Sequence, residues 1–151
     1  MSGAPEPARL RHVPHLAAIL WASGRRTPWL PRVRARRTDL RLMASITRRG
    51  WVRVMRGRRG PVAFIARDGA RIHALYVHPR AARRGLGSAL IDHAKAQAPR
   101  LELWVAEANR PARAFYAAHG FAEAARGQGA GNDENLADIL MVWSPERSDA
   151  A

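Results

Sequence analysis

The run Leu75-Tyr-Val-His-Pro-Arg-Ala-Ala-Arg-Arg-Gly-Leu-Gly-Ser-Ala-Leu-Ile91 sets Arg83, Arg84, Gly85 and Gly87 between an apolar, extended segment and a helical pattern. That spacing suits an anion. The first turn of a helix carries unpaired N–H groups and the positive end of the helix dipole. Glycines remove the Cβ from the path of an approaching phosphate, and the two arginines add charge beside the donors. The chemistry this describes is a pyrophosphate cradle. It is not a P-loop, because Gly-x-x-x-x-Gly-Lys-Ser/Thr is absent. It is not a dinucleotide fingerprint either, because Leu90 stands at the third glycine position. Gly-x-Gly taken alone fits equally well a helix start that holds no ligand.

Elements on both sides must position this loop. Leu10, Val13, Leu16, Ala17 and Leu20 recur at helical spacing, which predicts a helix over Ala8 to Ala22 with a break or late start at Pro14. Asp39 is placed to cap a second helix running to Thr47. Trp51 to Met55, Pro61 to Arg67 and Arg71 to Val77 read as an antiparallel meander joined by Arg56-Gly-Arg-Arg-Gly60 and Asp68-Gly69. The glycine loop then opens a helix to Gln97, and Pro99 stops it. Leu101 to Val105 follows as a short buried strand. Asn109 can cap a helix from Arg110 to His119, with Gly120 at its end. Phe121 to Arg126 and Ile139 to Trp143 complete the pattern as two strands. No repeat or linker divides the chain, so a single domain over 1–151, with an ordered core of about 8–143, is expected.

Residues 82 to 87, Ala-Arg-Arg-Gly-Leu-Gly, resemble the [Q/R]-x-x-G-x-[G/A] signature of the GNAT superfamily of acyl-CoA-dependent N-acetyltransferases, with Ala82 departing at the first position. Downstream, Asn109, Ala112, Phe115-Tyr116 and Gly120-Phe121 are similar to the family's N-x-x-A-x-x-F-Y-x-x-x-G-F block. The order of elements over residues 8 to 143 also fits. The resemblance implies an α/β (α+β) fold. Its central sheet is mixed but mostly antiparallel, with six to seven strands, one splayed pair and about four flanking helices. It implies acetyl-CoA as the cofactor, without a metal. It also implies that Leu75, Tyr76 and Val77 hold the pantetheine arm as a pseudo-strand. Backbone groups from Arg83 through Arg84, Gly85, Leu86 and Gly87 to Ser88 take the pyrophosphate. Asn109 contacts the cofactor arm, and Tyr116 lies near the sulfur.

The implied reaction is direct attack of a primary amine on the thioester within a ternary complex. It needs a base, an oxyanion donor and a general acid. No covalent enzyme intermediate is required, in keeping with a chain that has no cysteine. Tyr116, with an ordinary pKa near ~10, suits the acid role. His73 and Glu107 are the candidate bases. Strand alternation puts His73 on the face of Leu75 and Val77, and Glu107 ends the following strand. Many relatives carry a carboxylate early in the strand before the loop; here Arg71 occupies such a position.

Acceptor candidates come from two regions of opposite charge. Trp29 and Arg32, in a segment that also holds Arg34, Arg36 and Arg37, suit a carboxylate or phosphate. Asp133 and Glu134 suit a cationic amine. A small zwitterion satisfies both, and a small-molecule amine is the expected acceptor. A protein N-terminus or lysine, a silent acyl-CoA sensor and a nucleic-acid-associated module are the alternatives. The last is motivated by the formal charge of +14, carried by 25 arginines and Lys95 against 12 acids. Two tyrosines and three phenylalanines, none interleaved with the arginines, weigh against a base-stacking platform. The same composition also suits a GC-rich genome. No apolar run of 18 residues and no signal-peptide pattern occur, so a cytoplasmic protein is expected. A homodimer is compatible with the resemblance.

Overall fold

The computed structural model describes residues 4–24, 36–127 and 137–145. Seven strands form one sheet in the order β1-β2-β3-β4-β5-β7-β6. They are β1 (Glu6–Pro7), β2 (Val52–Gly57), β3 (Gly60–Asp68), β4 (Arg71–Val77), β5 (Leu101–Ala106), β6 (Ala122–Gly127) and β7 (Asp138–Trp143). Every neighbouring pair is antiparallel except β4–β5. The helices are α1 (Val13–Gly24), α2 (Arg36–Arg48), α3 (Leu86–Gln97) and α4 (Arg110–Ala118). The mixed sheet and four helices expected from the sequence are therefore present.

Both faces of the sheet are covered, by two separate cores. On one face, Leu16 and Ile19 of α1 and Met43 and Ile46 of α2 pack on Val52, Val54 and Phe64. On the other, Leu86, Leu90, Ile91 and Ala94 of α3, with Tyr116 of α4, pack on Ile65, Ile72, Leu103 and Ile139. β3 lies between the two layers, and Pro61 to Ala66 are all buried. Each such Leu, Ile or Phe contributes about 1.5–3 kcal/mol by leaving water. Lys95, the single lysine, stitches the second layer together. Its ammonium donates to the His119 carbonyl at 2.5 Å and lies 5.0 Å from the centre of the Trp143 ring.

Several expectations need correction. β1 was not foreseen; two residues without alternation carry no strand signal. The break or late start expected at Pro14 is present: a 3₁₀ turn at Leu10–His12 comes first, and α1 proper starts at Val13. Pro14 falls in its first turn, where a missing N–H is harmless. Asp39 does not cap α2 but sits inside it, buried, where a carboxylate oxygen accepts a 2.9 Å hydrogen bond from the Trp21 indole. The two helices are thereby tied across their junction.

Candidate active site

β4 and β5 define the site by parting. Their one paired position is Arg71 opposite Glu102, next to the Glu102 N–H bond to the Ala70 carbonyl at 2.8 Å. Arg71 also reaches the Glu102 carboxylate at 3.4 Å. Beyond this root the strands diverge and leave a cleft of about 260 Å³ between Leu75–Tyr76 and Leu103–Ala106. Arg71 thus pins the closed end of the cleft.

The loop after β4 makes a second cavity of about 420 Å³, lined by Leu75, Val77, Arg83, Gly85, Leu86, Gly87, Ser88, Ala112, Phe115 and Tyr116, among others. Arg83 and Gly85 both take left-handed backbone, with φ 65° and 75°. The turn this makes brings the first residues of α3 to the cavity wall. The first bond of the helix runs from the Ala89 N–H to the Gly85 carbonyl at 3.0 Å, so the N–H groups of Leu86, Gly87 and Ser88 precede it. The two glycines differ in purpose. A Cβ on Gly85 would meet nothing within 4 Å, so glycine is needed there for its φ. A Cβ on Gly87 would lie 3.2 Å from Phe115 Cζ, so that glycine admits the Phe115 ring. Gly87 also lines the cavity, so its backbone stays open to a ligand.

The two hollows meet. Leu75, Ala112 and Tyr116 line both. Tyr116 is only 7% exposed, and its ring packs edge-on against Phe115 and Phe121 at 5.2 and 5.5 Å. Burial, with Tyr76 adding to it, pushes its hydroxyl well above the ordinary phenol range, so it stays protonated. Asn109 caps α4, accepting from the Ala112 N–H at 3.2 Å, and also lines the cleft.

His73 lines the cleft as well, but not as alternation predicts. The register between β3 and β4 shifts, with Ala66 opposite Ala74 and Arg67 opposite Ile72, leaving His73 as an extra residue. Such a bulge reverses the parity of a strand. Ile72, Leu75 and Val77 consequently share the α3 face, whereas Ala74 and Tyr76 pack toward α1 and α2. His73 stacks on Trp51 at 4.9 Å and 9°. Partial burial, then Arg71, lowers its pKa below the usual imidazole value, against an opposing pull from Asp68.

Other candidates fall elsewhere. Tyr76 lines the cleft and not the larger cavity. Arg84 is exposed and is not among the lining residues. Glu107 is exposed, lines neither hollow, and pairs with Arg126 at 2.6 Å. Trp29, Arg32, Asp133 and Glu134 lie outside the described residues. Arg36, from the same arginine-rich segment, opens α2 with its guanidinium 4.5 Å from the centre of the Trp21 ring. Trp104, 42% exposed, and His119, which bonds Ser88, were not anticipated. Alternation along β5 marks Trp104 as opposite in facing to Leu103 and Val105. Nothing in the sequence pairs His119 with Ser88.

Residues 21–121 match the model of the Acetyltransferase (GNAT) family. The chain belongs to that family. It is an acyltransferase, and its acyl donor is acetyl-CoA. A cavity with a helix start, Arg83 and a strand edge along it has the donors that the diphosphate of such a carrier requires. Over 72 residues the chain is 40% identical to the peptidyl-lysine N-acetyltransferase YiaC of Escherichia coli. That match spans 48% of this chain and 41% of the relative, less than half of either. The apo-form YjaB of Escherichia coli superposes with a TM-score of 0.78 at 24% identity, over 95% of this chain and 98% of the other. The PaiA N-acetyltransferase of Thermoplasma acidophilum, solved with coenzyme A, gives 0.74 at 15% identity over 95% and 99%. Among the described residues no helix is long and apolar enough to cross a membrane, and no group of His, Asp and Glu could hold a metal ion.

Proposed function

We propose that this acetyltransferase moves the acetyl group of acetyl-CoA directly to a primary amine of a small molecule, in a ternary complex. The observation that carries the reading is the junction of the larger cavity with the interstrand cleft at Leu75, Ala112 and Tyr116. The start of α3 with Leu75 and Val77 would hold the carrier so that its thioester would lie at that junction. The carrier supplies an acetyl group on a thiol leaving group. The N–H groups of Leu86, Gly87 and Ser88, with Arg83, hold its diphosphate. The amine enters through the cleft, past His73 and Trp104. His73, neutral near pH 7 because its pKa is lowered, takes the proton that the attacking nitrogen must lose. Tyr116 donates its O–H to the departing sulfur. Glu107, engaged by Arg126 outside the cleft, takes no part.

A second reading, acetylation of a lysine side chain on a protein, is favoured by the 40% identity to a peptidyl-lysine acetyltransferase. A cleft of about 260 Å³ admits an alkylamine whether free or attached to a peptide. Thiol release from acetyl-CoA, measured with a panel of small amines and amino acids beside lysine-bearing peptides, tests both. A higher kcat/KM for a free amine supports the first reading; turnover confined to peptides replaces it with the second. No thiol release with any amine, alongside tight acetyl-CoA binding, makes the chain a sensor instead.

A further inference from the structure

Behind the cavity wall, Ser88 Oγ and His119 Nε2 lie 3.0 Å apart, joining the first turn of α3 to the C-terminal end of α4. Ser88 faces the cavity, and His119 does not. The imidazole is held in place from two sides. Its ring lies 4.6 Å from that of Phe115, which itself fills the space beside Gly87, and its backbone carbonyl accepts the Lys95 ammonium. We propose that His119 is a positioning residue for the diphosphate of the acyl carrier, acting through Ser88 and coupling the grip on that diphosphate to proton uptake.

The argument rests on hydrogen-bond polarity and on the acyl-CoA reading above. A hydroxyl has one proton to give. If the neutral ring presents a bare Nε2, it accepts that proton, and Ser88 turns only lone pairs toward the cavity. An anion is repelled by this arrangement. If Nε2 carries a proton, it donates to Ser88 Oγ, and the Ser88 O–H is released to donate to a phosphate oxygen. Imidazolium enforces the second arrangement and adds a positive charge. A bound diphosphate therefore favours protonation of His119, and by linkage acid favours binding. The group starts with room to respond. Partial burial, then Lys95, lowers its pKa below the usual imidazole value, and Asp92 pulls the other way. Lys95 and Asp92, both on α3, are the charged groups acting on the ring from the helix packed against it; Ser88 and Phe115 are its neutral neighbours.

Calorimetric binding of dephospho-CoA from about pH 8 to about pH 5.5 tests this, because its diphosphate does not titrate there whereas imidazole does. In the unaltered protein the affinity should rise about three- to tenfold on acidification, the upper figure corresponding to a shift of about one pKa unit on binding. His119→Gln should flatten that rise, and so should Ser88→Ala, which leaves the imidazole intact. Pantetheine, which lacks phosphate, should show no pH dependence that His119→Gln removes. Retention of the rise in His119→Gln overturns the proposal. Retention in Ser88→Ala does so as well, because His119 would then act without the hydroxyl. A rise for pantetheine that vanishes in His119→Gln also overturns it. Failure of the unaltered protein to bind dephospho-CoA at any pH is a different result, and it removes the acyl-carrier reading of the cavity.

Discussion

Replacing Tyr116 with Phe removes one oxygen and keeps the ring that packs against Phe115 and Phe121. Acetyl-CoA affinity should therefore change little, and turnover should fall. The size of the fall follows from acidities. A thiol has an ordinary pKa near ~8.5, and an unperturbed phenol near ~10. Burial raises Tyr116 further, so complete proton transfer to the leaving sulfur is uphill. The hydroxyl then works mainly as a donor to developing charge, at or below the low end of the ~10²–10⁴-fold ordinary for general acids. A loss of about 10- to 100-fold in kcat is expected, or about 1.4–2.7 kcal/mol of barrier. The sign of the pH effect is also fixed. Activity needs the protonated phenol and is lost as pH rises through its pKa. With that pKa raised, no descending limb from Tyr116 should appear below about pH 10. Thiol-release kinetics with the amine found in the panel, together with calorimetric Kd for acetyl-CoA, check both points. Unchanged kcat in Tyr116→Phe would refute the acid role, and a matching loss of acetyl-CoA affinity would reassign the residue to binding.

His73 is expected to act as a base only while neutral, so kcat should fall as pH drops through its pKa. Because burial and Arg71 lower that pKa, the acid limb should lie below about 6.5, and His73→Gln should abolish it while slowing turnover about 100-fold. The two loop glycines should respond differently to alanine. Gly85→Ala forces a Cβ into left-handed backbone with open space around it, costing about 1–2 kcal/mol of stability by chemical denaturation. Gly87→Ala presses on the Phe115 ring, and should weaken acetyl-CoA binding at least as much as it lowers stability. Phe64→Ala, at 0% exposure in the core beneath α1 and α2, should cost about 3–5 kcal/mol. Equal loss of acetyl-CoA affinity in the two glycine variants, or a mild Phe64→Ala, would contradict the packing described for those positions.

Local chemistry made much of this protein legible from its sequence. The bounds of β4 are legible because Gly69 and Pro79 flank an apolar run, and those of α3 and α4 are legible to within a residue because Gly85 and Asn109 are strong start signals. The Gly-x-Gly helix start and the Phe-Tyr block pointed to the family and to Tyr116 for the same reason: their meaning is carried by short spacing. What depended on distant partners was hidden. The bulge at His73 is a property of β3 and β4 together, and one extra residue in a ladder moves a side chain to the opposite face. The packing of Phe115, a helix away, against Gly87 carries no signal in the local sequence. Glu107 pairs with Arg126 outside the cleft, and His119 is brought to Ser88 where the end of α4 meets the start of α3. Sequence by itself determined the elements, the family and the helix start that can hold an anion, because those follow from neighbours along the chain. Only the tertiary structure decided which titratable groups share the cleft, because an imidazole or a carboxylate has no fixed direction until strands pair and helices dock.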